Sequence, residues 1–239
     1  MVLREVDIVA ELRRIAGLGF VRTLKGGDTG VGFTLETLLG LPPTNKRDIA
    51  DFSYLGRPIE LKSQRSETLS MTTLFACEPV VRTMNDYQLV QRFGYLDDSG
   101  RMSLYVTLST HAYVPQGLRL RVESTSKKVL VVGRGGERIW EWDYSQFSRK
   151  IGNLLIVKAD TRGAGKNEEF HYSNAKLCLD LDEEKFTTVL IDTGLVTVDI
   201  RAHVKPGRTS ARNHGTAFRI RNLGMLESCY GSVETLLGT

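Results

Sequence analysis

The segment Asp51-Phe-Ser-Tyr-Leu-Gly-Arg-Pro-Ile-Glu60-Leu-Lys62 places one aspartate ahead of an apolar, strand-forming run that carries Glu-x-Lys. Alternate side chains of a strand face the same way, so Glu60 and Lys62 share a face while Leu61 turns toward a core. Two carboxylates converging on a divalent cation, with an amine beside them, can hydrolyse a phosphodiester. The cation stabilises charge on the phosphate and lowers the pKa of its bound water. The pattern D-x(n)-E-x-K is common, and by itself it describes a surface strand with a salt bridge equally well. Its neighbours decide between the two readings.

Glu36 falls on a helix predicted over about 31–39, which opens after the glycine-rich loop Lys25-Gly-Gly-Asp-Thr-Gly-Val-Gly32 and stops at Pro42-Pro43. Thr29 is the expected N-cap. The glycines let backbone and a helix N-terminus approach an anion such as phosphate, and Arg22 and Lys25 stand nearby as candidate phosphate contacts. The loop lacks the Gly-Lys-Ser/Thr ending of a nucleotide-binding phosphate loop. Loop, helix-borne Glu36, Asp51 and Glu60-x-Lys62 thus follow one another within the 38 residues from Lys25 to Lys62. A metal-dependent nuclease core needs a helix-borne carboxylate, a strand-end aspartate and a strand-borne Glu-x-Lys meeting at one site.

A second charged region lies far downstream. Residues 201–221 contain Arg201, Lys205, Arg208, Arg212, Arg219 and Arg221 and no acidic residue, just after the acidic run Asp180-Leu-Asp182-Glu183-Glu184. Basic residues interleaved with glycine and aromatic residues suit phosphate and base contacts, and a solvated basic loop is the plain alternative. His203, two residues beyond Arg201, is expected on the same strand face. The net charge of +4 is too small to imply non-specific polyanion binding.

The elements that must position these residues read as mixed α/β. Helices are expected over 3–17 (Leu3, Ile8, Leu12 and Ile15 on one face), near 81–92, over 144–150 and over 183–192. Strands are expected at 49–54, 57–65, 71–76, 102–110, 118–124, 128–133, 137–142, 154–159 and 195–201. Trp140 and Trp142 read as core residues, and His111 and His171 as strand or core histidines. With 239 residues, 41% of them hydrophobic and 25% charged, the chain can bury a core as one domain or two fused lobes. Cys77, Cys178 and Cys229 are too scattered for a zinc site or a disulfide framework, which points to a reducing cytoplasm. The N-terminus shows no signal-peptide pattern, and no apolar run approaches the ~18 residues of a membrane span.

Thr29-Gly-Val-Gly-Phe-Thr-Leu-Glu36, followed by Asp51-Phe and Ile59-Glu-Leu-Lys-Ser63, resembles the MvaI/BcnI family of type II restriction endonucleases. This first block is also similar to their mismatch-repair relative, the nicking endonuclease MutH. Thr73-Leu-Phe75, Arg92-Phe-Gly-Tyr95, Glu169-Phe-His-Tyr172, Val198-Asp-Ile-Arg201 and His214-Gly-Thr-Ala-Phe-Arg219 resemble later segments of the restriction family, which favours that branch. The resemblance implies a PD-(D/E)XK restriction-endonuclease-like domain over 1–239, with a mixed central sheet flanked by helices. Two lobes forming a DNA-binding cleft follow from it, a mainly catalytic one over 1–110 and a mainly DNA-recognition one over 111–239.

By the same resemblance, Asp51, Glu60 and the carbonyl of Leu61 bind Mg²⁺, Lys62 orients or activates the attacking water, and Glu36 completes the site. Arg201, His214 and Arg219 fall where the family reads base edges. The implied reaction is cleavage of double-stranded DNA by a monomer at a short G·C-rich palindrome of the CC-x-GG type. It leaves a 5′-phosphate and a 3′-hydroxyl, and a cognate DNA methyltransferase is the functional partner in the host. Two departures stand out. Arg212-Asn213 occupies the place of a usual His-Asp, and asparagine favours adenine whereas arginine favours guanine or phosphate. Eight residues separate Asp51 from Glu60, more than in close family members, so the hairpin through Leu55-Gly-Arg-Pro58 is expected to bulge outward. The alternatives are a MutH-like nickase acting with repair partners, and a DNA-binding module that has lost catalysis; the presence of Glu36, Asp51, Glu60 and Lys62 argues against the second.

Overall fold

Short runs rich in Leu, Val and Ile, punctuated by Gly and Asp turns, form most of the chain, and such runs pair as strands. The computed structural model describes residues 4–41, 50–68 and 70–238. It begins with α1 (Ile8–Gly17), β1 (Val21–Arg22), α2 (Gly30–Leu38), β2 (Phe52–Tyr54) and β3 (Arg57–Arg65). There follow β4 (Thr72–Ala76), β5 (Val81–Arg82), α3 (Asp86–Phe93), β6 (Tyr95–Leu96), β7 (Met102–Leu108), β8 (Leu118–Glu123), β9 (Lys128–Gly133), β10 (Arg138–Asp143) and α4 (Ser145–Ile151). The chain then forms β11 (Asn153–Arg162), β12 (Glu169–Leu181) and α5 (Glu183–Lys185), the last running into a π-helical stretch over Phe186–Ile191. β13 (Val196–Val204), β14 (Arg212–Ile220) and β15 (Tyr230–Leu237) complete it.

Contacts divide the chain into two compact units, each discontinuous in sequence. The first takes the chain up to Ser70, Ile151–Leu181 and Leu223 onward; the second takes Met71–Lys150 and Asp182–Asn222. A division near residue 110 follows chain order alone, and the contacts do not.

In the first unit the strands run β1-β12-β11-β3-β2, with β15 also paired to β12. β3 lies parallel to β11 from Asn153↔Ile59 to Ala159↔Arg65, and antiparallel to β2. Ile8, Leu12 and Ile15 of α1 and Val31 and Leu35 of α2 are buried in one cluster with Phe52, Ile59, Leu61, Leu155 and Phe170. The second unit holds two sheets, β5-β10-β9-β8 and β4-β14-β13-β7-β6. Aromatic rings join them: Phe218 stacks on Phe75 at 4.8 Å and meets the edge of Trp142 at 5.6 Å. Trp140 and Trp142 are fully buried, as their apolar bulk implies, and their indole N–H groups donate to the carbonyls of Met84 and Cys77.

Several sequence expectations are corrected. α1 starts at Ile8 because the Asp7 side chain caps the Ala10 N–H (3.2 Å). The helix expected from residue 81 begins at Asp86, where Asn85 and Gln88 form a capping box; Val81–Arg82 pairs instead with β10. The expected helix over 183–192 is three α-helical residues and a π-helical run. β12, β14 and β15 were not expected from the pattern. His111 lies exposed in the loop after β7. Pro42-Pro43 and residue 49 lie outside the described residues. Among the described residues no helix is long and apolar enough to cross a membrane.

Leu155 is fully buried on β11 beside β3 and β12. Leu155→Ala is therefore expected to lower stability by about 2–5 kcal/mol in urea unfolding. A loss below about 1 kcal/mol would mean that this sheet is not packed as described.

Candidate functional site

The Asp51–Glu60 connection is a tight hairpin. Tyr54 pairs with Arg57, leaving only Leu55-Gly56 in the turn, and both have positive φ (51° and 72°). Two such residues make the primed turn whose twist matches paired strands, so the expected outward bulge does not form. The Asp51 N–H donates to the Ile59 carbonyl (3.0 Å), and Asp51 Oδ2 accepts the Leu61 N–H (2.7 Å). Asp51 therefore sits against the Glu60 segment despite the distance in sequence. On β3, Ile59 and Leu61 turn into the core while Glu60 and Lys62 share the other face, joined by a 2.7 Å ion pair.

α2 carries Glu36 toward the same strand. A Cβ on Gly32 would lie 3.4 Å from Ser63 Oγ and 3.7 Å from Glu36 Oε1, so the first turn of α2 approaches β3 closely. Gly30 is stricter: a Cβ there would stand 2.3 Å from the Lys25 carbonyl oxygen. Thr29 occupies the N-cap position, but its side chain makes no capping bond. The helix start is held by Thr34 Oγ1, which accepts the Leu24 N–H (3.1 Å), and by the Tyr172 hydroxyl, which donates to the Val31 carbonyl (2.8 Å). Lys25, Thr29, Gly32, Glu36, Leu61 and Lys62 line a cavity of about 300 Å³. Arg22 is not among its lining residues; its guanidinium donates to Asn167 Oδ1 (2.6 Å).

Arg65 escaped the sequence reading. From the end of β3 it forms a bidentate pair with Glu168 (2.6 and 2.8 Å) and donates to the carbonyls of Gly27 (3.2 Å) and Asp28 (3.3 Å). It ties the glycine-rich loop to the strand that bears Glu60 and Lys62. Nothing in the sequence marks that role, since its partners lie 37 and more residues away.

The carboxylates crowd one another. Burial raises the pKa of Glu36, Asp51 and Glu60; Asp51 and Glu60 raise Glu36 further, Asp51 raises Glu60, and Lys62 opposes each shift. Hard divalent cations take oxygen ligands. Asp51, Glu60 and the Leu61 carbonyl offer such a donor set, and the crowded negative charge fits a cation there. Among the described residues no three His, Cys, Asp or Glu side chains are gathered tightly enough to hold a metal by themselves.

The raised values carry a stability consequence. In the native state these groups bind protons more tightly than in the unfolded chain. Their contribution to stability is full below the ordinary carboxylate range and is lost as pH rises through the raised values. Asp51→Asn is therefore expected to raise the metal-free melting temperature at neutral pH, with the advantage shrinking in acid. An unchanged or lower melting temperature would contradict the placement of Asp51.

In the second unit, Arg201, His214 and Arg219 line a concavity of about 750 Å³ together with Thr73, Tyr105 and Asp199. Asp199 is only 2% exposed, and it accepts from Thr107 Oγ1 (2.7 Å), Arg201 Nη2 (2.7 Å) and Arg219 Nη1 (2.9 Å). A buried carboxylate must be paired, and here one anion orients two arginines. Its sequence signal was its place two residues before Arg201. Asn213 uses its amide internally, donating to Asp86 (3.1 Å) and accepting the Gly215 N–H (2.7 Å). Arg212 is exposed and lines a smaller hollow with Lys205 and Arg208. His203 shares the strand face of Arg201, since β13 stays in regular register with β7 through both residues, but it is buried there, only 3% exposed.

A model of the MvaI/BcnI restriction endonuclease family matches residues 9–228. The chain belongs to this family. It is accordingly a type II restriction nuclease, as the Thr29–Ser63 block and the later segments implied, and enzymes of this family generally use a divalent metal. Among solved structures, the restriction endonuclease MvaI in complex with its cognate DNA substrate is 23% identical with a TM-score of 0.75, over 96% of this chain and 97% of that one. MvaI in the absence of DNA is 21% identical with a TM-score of 0.56, over 96% of each chain. These likenesses bear out the mixed α+β restriction-endonuclease fold. No curated protein matches the sequence.

Proposed function

We propose that the protein is a site-specific, Mg²⁺-dependent endonuclease that cuts both strands of DNA as a monomer. The observation that carries this reading is the meeting of Asp51, just ahead of β2, with Glu60 and Lys62 on β3. Asp51, Glu60 and the Leu61 carbonyl would hold Mg²⁺, which when bound supplies charge stabilisation on the phosphate and a more acidic water. Lys62, its ammonium steadied by Glu60, orients the attacking water and stabilises charge on the phosphate. Glu36, with its raised pKa, is suited to hold a water or take its proton. Lys25, on the same cavity, binds the phosphate backbone. In-line attack leaves a 5′-phosphate and a 3′-hydroxyl.

In this reading the first unit cuts and the second reads. Arginine pairs with guanine O6 and N7 through two hydrogen bonds, and Asp199 holds Arg201 and Arg219 in place for such contacts. Two arginines and His214 on one concavity suit a short G·C-rich palindrome of the CC-x-GG type. Arg212, and Arg22 on the first unit, serve as phosphate contacts, while Asn213 supports the Gly215 turn rather than reading adenine. DNA as substrate also agrees with the cognate DNA held by MvaI in its solved complex. A cognate methyltransferase protecting the same site, in the cytoplasm of the host, completes the restriction system.

Lys62→Ala is expected to reduce cleavage by about 10²–10⁴-fold, and Asp51→Ala to abolish it, with specific DNA binding retained in both. Near-full cleavage by either variant would refute the assigned site. Arg219→Ala is expected to weaken binding to the specific site by about 1–3 kcal/mol while leaving random DNA almost unaffected. Equal weakening on both would demote Arg219 to a phosphate contact.

A further inference from the structure

His203 is buried where it cannot touch a ligand in the concavity, yet its ring faces two groups that line it. His203 Nδ1 lies 3.2 Å from the Tyr105 hydroxyl and 3.3 Å from His214 Nε2. The two imidazoles lie 5.3 Å apart between centroids, tilted by 30°. His203 Nε2, in contrast, is buried and has no hydrogen-bond partner among the described residues. Each ring nitrogen of a neutral imidazole is either donor or acceptor, and a hydrogen bond at one nitrogen decides the role of the other.

We propose that His203 is a positioning residue that fixes the tautomer of His214, so that His214 presents an N–H donor to the concavity beside Arg201 and Arg219. Burial and the neighbouring Arg101, His214, Arg212 and Lys205 lower the pKa of His203, which keeps its ring neutral with one proton. Placed on Nε2, that proton is a buried donor with no acceptor; placed on Nδ1, it meets the Tyr105 oxygen and His214 Nε2. Nε2 is unpaired in either tautomer, and a buried orphan N–H is rarer than a buried orphan acceptor, so the proton resides on Nδ1. His214 Nε2 then accepts, and the single proton of neutral His214 resides on its own Nδ1. A donor at that place pairs with guanine O6 or N7 and not with the amino groups of cytosine or adenine. His203 thus adds to base choice without touching DNA. This inference rests on the reading of the concavity as the base-reading surface.

The test is ¹⁵N–¹H correlation spectroscopy of the imidazole rings in the free protein near pH 8, where four histidines give a short spectrum that single variants assign. The expected result is the Nδ1–H tautomer for both His203 and His214, with loss of that preference at His214 in His203→Leu. His203→Asn, which keeps an amide donor near the old Nδ1 position, is expected to restore it. On DNA, His203→Leu is expected to lose roughly tenfold in discrimination between the specific site and one with a single G·C pair replaced, with His203→Asn recovering most of it. An Nε2–H tautomer at His203, or an unchanged His214 ring in His203→Leu, overturns the inference. Should the leucine variant not fold, the wild-type spectrum alone decides it. His214→Ala separates the levels: undiminished discrimination in that variant removes the base-reading assignment, while the ring tautomers still test the coupling between the two histidines.

Discussion

Glu36, Asp51 and Glu60 are held partly out of water around Lys62, and burial raises the pKa of all three carboxylates. A fold that places like charges together works against its own stability, so the remainder of the first unit has to hold them there. β3 is the element that does so. It pairs with β11 along seven residues on one side and with the short β2 hairpin on the other, and it buries Ile59 and Leu61 beneath the charged face. The same strand ends in Arg65, which fastens the glycine-rich loop and so the start of α2. Carboxylates, lysine and loop are therefore positioned by one nine-residue strand. A divalent cation held there, as proposed, would relieve the repulsion, and the destabilising feature would then also be the catalytic one.

The second unit solves a related problem with the opposite sign. Arg201 and Arg219 would repel each other on an exposed surface, and the buried carboxylate of Asp199 offsets part of their charge and limits their freedom. Ordering two long side chains in advance removes an entropic cost that binding would otherwise incur. His203 beneath His214 follows the same logic with a neutral group. In each case a buried side chain constrains an exposed one.

Much of this was legible in the sequence, for identifiable reasons. Glu60-x-Lys62 needs only strand alternation to share a face, and the order Glu36, Asp51, Glu60 survives in three adjoining elements. The family blocks were distinct enough to name the fold. What stayed hidden depends on register and on long-range pairing. β12 mixes Ser173, Asn174 and Lys176 with its apolar residues and changes register near Lys158/Ala159 of its partner, so it shows no clean period. β14 reads as a basic loop because its outward positions carry Arg212, His214 and Arg219. The burial of His203 on the face that exposes Arg201 has no local mark, and neither does the two-residue turn at Leu55-Gly56, where a leucine takes a positive φ. Arg65 and Asp199 were invisible as site residues because their partners are distant in the chain.

The most direct measurement is to digest a plasmid of known sequence with the purified protein alone, with and without Mg²⁺, and to sequence every end produced. The account requires that cutting depend on the metal, that all ends fall at one short G·C-rich site on both strands, and that they carry 5′-phosphates. Ends scattered across the plasmid, or cutting that persists in a chelator, would contradict it.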